Sequence, residues 1–261
     1  MIHQISLLVS AMVVPVAAAS LSAVSSAEIC GSCHRAIHEA WKRSAHARSM
    51  ESRKFQDALE EAEGQLGHQA RPLCLRCHSP LAIELGDWAL IRKVSWEGVT
   101  CDYCHSIGSV ELTPKGFEAR TVFSLVKFGP IPDASSTGHG TEFSKVHTQS
   151  EICAPCHEYR NHLGFPVLTT YSEWKASRYS RDGTPCQHCH MSKVAGKVVE
   201  PRVQRTALAE VNLHEMPGSH SLTQLNRAVR AHLQVARLLG QLEVTVQVEN
   251  VGAGHAMPTG S

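Results

Sequence analysis

Apolar and polar positions divide this 261-residue chain into stretches of different period. Ile5 to Ala19 is apolar almost throughout and gives way to small residues ending Ser25-Ser26-Ala27. That is the pattern of an export signal cut after Ala27, although the first four residues lack Lys and Arg. The stretch is short for a membrane span, and Pro15 interrupts it. No later segment is long and apolar enough to span a bilayer. His34 to Leu66 has no proline, no glycine before Gly64, and many good helix formers, which predicts a helix closed by Gly64 and Gly67. Tyr171 to Tyr179 predicts a short helix that ends near Gly183 and Pro185. Gly129-Pro130-Ile131-Pro132 to Gly140 reads as a loop. Leu225, Val229, Leu233, Ala236 and Leu239 recur at helical spacing, which extends a helix over Leu222 to Leu239. Leu242 to Val248 alternates strictly and predicts a half-buried strand, followed by a turn at Asn250-Val251-Gly252-Ala253-Gly254. A lone strand cannot bury its apolar face. The expectation is therefore a truncated C-terminal β-domain, with pairing to another chain as the alternative.

Cysteine placement changes this picture. All ten cysteines fall in five Cys-x-x-Cys-His motifs: Cys30, Cys33 and His34; Cys74, Cys77 and His78; Cys101, Cys104 and His105; Cys153, Cys156 and His157; Cys186, Cys189 and His190. The pattern is that of covalent c-type haem attachment, two thiols adding to one porphyrin and the adjacent histidine lying under its iron. Structural zinc needs two cysteine pairs per metal, commonly ~15–20 residues apart. Five pairs, with first cysteines 44, 27, 52 and 33 residues apart, do not match two by two. A disulfide framework gives no reason for five identical histidine placements. The reading is five haem c groups, proximal ligands His34, His78, His105, His157 and His190, and attachment outside the cytoplasm.

At this motif density little polypeptide lies between cofactors, so aromatics at 5 % of residues make a thin but sufficient core. The fold class expected is mainly α with much irregular structure, wrapped around closely packed haems. The expected division is 1–27 signal, 28–220 pentahaem domain, and 221–261 a helix plus the first strand of the β-domain. A formal charge of +1 gives no field that favours nucleic acid or anionic membrane. Arg35, Lys42, Arg43, Arg48, Arg71 and Arg76 lie near motifs, as propionate partners or as solvated surface charge.

Seventeen histidines exceed what five motifs use. Low-spin electron-transfer haems commonly take a second axial ligand, and histidine supplies it. His188 sits inside its own motif and is poorly placed for that iron. His38, one turn past His34, reads as a surface residue or propionate partner. His46, His139, His147, His220 and His255 lie beside small or polar residues and are the distal candidates, with Met50, Met191, Met216 and Met257 as the methionine alternative.

Several segments resemble the multihaem cytochrome c family that includes the cytochrome c554-type proteins. They are Trp41-Lys42-Arg43-Ser44-Ala45-His46-Ala47, Trp96-Glu97-Gly98-Val99-Thr100-Cys101, His147-Thr148-Gln149-Ser150-Glu151-Ile152-Cys153, Cys156-His157-Glu158-Tyr159-Arg160-Asn161 and Thr170-Tyr171-Ser172-Glu173-Trp174-Lys175. The resemblance implies distal roles for His46 and His147, with His220 a third and His139 a further one. Gly252 to Gly260 resembles a turn in a β-domain appended to such cytochromes, where His255 either ligates a haem or fixes the turn. Electron transfer is the leading function, with other redox proteins as partners (cytochromes, quinol-linked donors or terminal reductases) and a periplasmic or cell-surface location. The rival is a reductase or oxidase of a small nitrogen or sulfur compound, which needs one open iron; Tyr103, Tyr159 and His162 could line it. A polymeric cytochrome filament is a third reading, resting on the unpaired strand and surplus histidines.

Overall fold

The computed structural model describes residues 24–196 and 208–259. Positions 1–23 of the expected signal, and Gly260 and Ser261, lie outside the described residues. The chain order is α1 (Ala27–Gly31), α2 (Arg35–Lys42), α3 (Arg53–Leu66), α4 (Ala70–His78), α5 (Pro80–Glu84) and α6 (Cys101–Cys104). β1 (Ile107–Thr113), β2 (Gly116–Thr121), β3 (Val126–Gly129) and β4 (Gly140–Phe143) follow, then α7 (Ala154–His157), β5 (Tyr159–Arg160) and β6 (Pro166–Leu168). The last third holds α8 (Thr170–Ala176), α9 (Arg178–Arg181), α10 (Cys186–His190), β7 (Lys193–Gly196), β8 (Leu208–Asn212), α11 (Leu222–Ala228), β9 (Val229–Leu238) and β10 (Gln241–Asn250).

The helices are short, and each motif sits on one or at its end. In helical backbone, positions i, i+3 and i+4 share a face, so two thiols and the following imidazole emerge together. In α6 the Thr100 side chain accepts from Tyr103 N and starts the turn that carries Cys101 and Cys104. The helix expected over His34 to Leu66 is two helices. A run of turns separates α2 from α3, and Ser52 restarts the chain by accepting from Phe55 N. α3 closes at Gly67 (φ 60°), not at Gly64.

Among the described residues strands pair only in twos, β1–β2, β5–β6, β7–β8 and β9–β10 antiparallel and β3–β4 parallel. The core is correspondingly divided into small clusters. Met50, Phe55, Leu59, Leu75 and Ala82 form one; Leu81, Tyr103, Ile107 and Val146 another; Ala27, Trp41 and Ala47 a third. The β9–β10 hairpin is exposed on both faces.

Three expectations change at the C-terminus. The helix predicted over Leu222 to Leu239 stops at Ala228, and the rest is β9. The strand at Leu242 to Val248 is not lone: it pairs along its whole length with β9, from Gln241↔Leu238 to Asn250↔Val229, across a Leu239-Gly240 turn with positive φ at both residues. The unpaired strand that supported a filament is thus paired within the chain. Leu225, Val229, Leu233, Ala236 and Leu239 fit a 3.6 period by coincidence; Val229, Ala231, Leu233 and Val235 fit a period of 2 equally well.

Candidate functional site

The short elements bring motif residues that are distant in sequence side by side. The Cys30 thiol lies beside that of Cys101, Cys77 beside that of Cys156, and Cys153 beside that of Cys186. Motif one therefore lies beside motif three, two beside four, and four beside five. Cys77 and Cys186 are lowered to about 7 because their partner thiols donate to them, while burial lifts Cys104 to about 11. Cys104 is within electrostatic reach of both Cys153 and Cys156, which joins the two groups of motifs.

Four motif histidines face a second imidazole. Ring centroids are 6.1 Å apart for His34 and His139, 6.1 Å for His157 and His46, 6.2 Å for His190 and His255, and 6.2 Å for His105 and His214. Two imidazoles on opposite sides of one metal, each with a bond of ~2.0 Å, have centroids ~6 Å apart once the ring radii are added. Most of these rings also have a fixed tautomer. Nδ1 of His105 lies 2.6 Å from Phe128 O, that of His190 2.7 Å from Pro217 O, and that of His139 2.8 Å from Gly140 O. Nδ1 of His214 lies 3.0 Å from Asn212 O and that of His255 2.9 Å from Ala256 O; His46 Nδ1 lies against the Met216 sulfur. A nitrogen facing such an acceptor carries the proton, which leaves Nε2 as the ligating atom. Met216 is thereby an anchor for His46.

Three buried imidazoles, His46, His147 and His214, are also kept neutral, as a metal ligand must be. Burial first, then the neighbouring His157 and His190, lowers His46 to about 4. Burial and then His105 lower His147 and His214 to about 4.

His46 and His255 are held by surrounding backbone. Val99 N donates to His46 O at 3.0 Å, and the Trp41 indole donates to Val99 O at 2.9 Å. Gly98 (φ +69°) packs so closely that an added Cβ would lie 2.2 Å from His46 O. The loop 251–259 is clamped by α8 and α9. Glu173 accepts from Ala256 N and from the Thr259 hydroxyl, both at 2.9 Å, and the Tyr179 hydroxyl donates to Gly252 O at 2.8 Å.

Other expected residues sit elsewhere. His147 is 5.3 Å from the His105 ring, but its Nε2 is spent on Ile107 O at 3.1 Å. His220 is exposed, and among the described ring contacts it meets no motif histidine. His38 is buried, not a surface residue: its ring packs on Gly31 and Trp41. His188 is exposed, as its place in the motif suggested. His214 was missed because its position depends on the β7–β8 pairing of Lys193 with Asn212, a long-range register that no local pattern carries.

His78 differs from the other motif histidines. Among the described residues no second imidazole faces it. Phe55 lies flat on its ring, centroids 3.9 Å apart and planes within 9°, and its Nδ1 is buried without a hydrogen-bond partner. A cavity of about 240 Å³ lined by Cys74, Cys77 and His78 together with Phe55, Arg76 and Tyr159 is the space that a haem on this motif would take. The Arg76 guanidinium stands 5.5 Å over the Tyr159 ring.

These residues fit haem c. Thiols and imidazole share a helical face, imidazoles oppose one another at the span of one metal, and among the described residues no cluster of three His, Cys, Asp or Glu side chains could hold a bare ion. A porphyrin tethered by the motif thiols would supply the remaining ligands to an iron held between two such imidazoles.

Comparison with known proteins agrees. A family model described as cytochrome c554 and c-prime matches residues 29–106. Cytochrome c-554 of Nitrosomonas europaea is 27% identical over 158 residues, which are 57% of this chain and 60% of that protein. The chain thus spans about three fifths of that relative. The crystal structure of a penta-haem cytochrome c552 from Thermochromatium tepidum superposes with a TM-score of 0.65 and 24% identity, covering 92% of this chain and 68% of that one. The chain resembles multihaem c-type cytochromes of the c554 kind, and its fold is that of a multihaem cytochrome.

Proposed function

We propose that the protein is an electron carrier with one haem c on each of its five motifs. Four sites take two imidazoles: His34 with His139, His105 with His214, His157 with His46, and His190 with His255. When bound, haem c supplies one-electron iron chemistry. The chain's part is to hold each iron's ligands in one tautomer and one orientation, so that little rearranges on oxidation or reduction. The four opposed ring pairs carry this reading. Motif adjacency through Cys30–Cys101, Cys77–Cys156 and Cys153–Cys186, with Cys104 near Cys153 and Cys156 joining the two groups, supports contiguous sites, so that electrons entering at one can leave at another.

Partners are other redox proteins, met through small transient interfaces. Among the described residues no helix is long and apolar enough to cross a membrane. The periplasm or the cell surface suits the attachment chemistry. The test is electron paramagnetic resonance of the oxidised protein, with haem number taken from its mass. Five haems, four low-spin and one high-spin, are expected. Fewer than five haems, or a second high-spin iron, would sink the assignment.

One observation favours a second activity. Among the described residues the His78 site has no opposing imidazole, and the Arg76 cation stands at its wall. It is suited to a small anionic or neutral nitrogen compound as substrate of a reductase or oxidase. A high-spin signal that shifts with nitrite or hydroxylamine supports this; one that ignores both leaves the carrier function alone.

A further inference from the structure

Residues ahead of the first motif are built into the fold. Ser25 N donates to Asp102 Oδ2 at 2.7 Å, and the other oxygen of that buried carboxylate pairs with the Lys127 ammonium. The Ser26 hydroxyl donates to Glu97 Oε1 at 2.5 Å and Ala27 N to Glu97 Oε2 at 2.9 Å. Ser26 also caps α1, its side chain accepting from Glu28 N. Ala27 is 1% exposed and packs with Trp41 and Ala47, while Val24 packs against the Leu81–Tyr103–Ile107–Val146 cluster. Asp102 is the residue after Cys101, the thiol that Cys30 touches. Residues 24–27 thus strap the first motif to the third through two carboxylates.

The boundary after Ala27 that the sequence suggests would remove this strap. It would leave Glu97 without both partners and the buried Asp102 without one. The segment offers another site: Ala17-Ala18-Ala19 closes the apolar stretch and places small residues at both positions that an export peptidase reads.

We infer that export processing cuts before Val24, at Ala19–Ser20, and that residues 24–27 are a permanent part of the mature protein. Water hydrolyses the Ala19–Ser20 peptide bond, leaving a carboxylate on Ala19 and an amine on Ser20. The inference rests on the exported-cytochrome reading above.

The full-length gene is expressed in a host that matures c-type cytochromes, and the haem-loaded periplasmic protein is examined by N-terminal sequencing and intact mass. A chain beginning at Ser20 is expected; one beginning anywhere from Leu21 to Val24 overturns that site while keeping the strap in the mature protein. A haem-loaded chain beginning at Ser25 or later overturns the inference while leaving the cytochrome reading intact. An uncut chain without haem in the cytoplasm overturns both. Hydrogen exchange on the mature protein tests the strap itself. Slow exchange at the Ser25 and Ala27 amides is expected, and free-chain exchange at both refutes it.

Discussion

Replacing Gly98 with alanine should disable a site whose iron-facing residue lies 52 positions away in sequence. Gly98 sits at φ +69°, where an L-residue costs ~1–2 kcal/mol. Its new Cβ would lie 2.2 Å from His46 O and 2.6 Å from the Ser49 hydroxyl. Ordinary C···O contact is ~3.3 Å, so the two backbones must part by ~1 Å. That separation stretches the Val99 N to His46 O hydrogen bond, worth ~1 kcal/mol. The sum is ~2–3 kcal/mol, or a fall of roughly 4–12 °C in melting temperature for a domain of this size. The spectroscopic effect is larger than the thermal one. His46 shifts by ~1 Å against a metal bond of ~2 Å, so the His157 iron loses its second ligand and one low-spin signal becomes high-spin. Gly116→Ala is the control: that glycine is also at positive φ but faces open space, so it carries strain without a spectral change. A Gly98→Ala protein with wild-type low-spin intensity, melting within about 2 °C of wild type, would refute the reasoning.

Three further outcomes follow from the same geometry. His214→Ala should convert the His105 iron to high-spin, whereas His147→Ala should keep it low-spin; the reverse result reassigns the ligand. Glu173→Ala removes the acceptor of Ala256 N and Thr259, so the His190 site should show mixed spin at room temperature, with Glu173→Gln less affected; an unchanged spectrum for both contradicts the clamp. Acid should destabilise the fold between pH 6.5 and about 4. His46, His147 and His214 are lowered from 6.5 to about 4, so in this window the unfolded chain takes up protons that the fold refuses. Their contribution is complete above pH 6.5, falls as pH drops, and is gone below about 4, at up to ~3 kcal/mol per residue. Iron ligation acts in the same direction. A denaturation midpoint independent of pH across that window would count against it.

The chemistry was legible because it is local. Cys-x-x-Cys-His puts two attachment thiols and one ligating imidazole within five residues, and α4 and α10 realise that spacing as helical faces. Partner selection was not legible, because it is set by tertiary structure. His46 is fixed by Gly98 and Val99, His255 by Glu173 and Tyr179, and His214 by the β7–β8 register. His220 was attractive for its small neighbours, but local freedom does not indicate proximity. The hairpin escaped because β9 has apolar residues that satisfy both a helical and a strand period.

The opposed ring pairs join residues 34 with 139, 46 with 157, 105 with 214, and 190 with 255. Each span opens before the previous one closes. A chain that crosses a membrane from its N-terminus therefore delivers the second and third motifs before His139 arrives to complete the first. Attachment and ligation are separated in time: a cofactor is tethered by its thiols while the residue that caps it is still on the far side. The apparatus that joins haem to thiol must accept a site with one histidine, and the final coordination of the first, third and fifth sites is a property of the folded protein alone. Truncation anywhere past the fifth motif should still give five covalent haems, with the missing ligands read out only in their spin states.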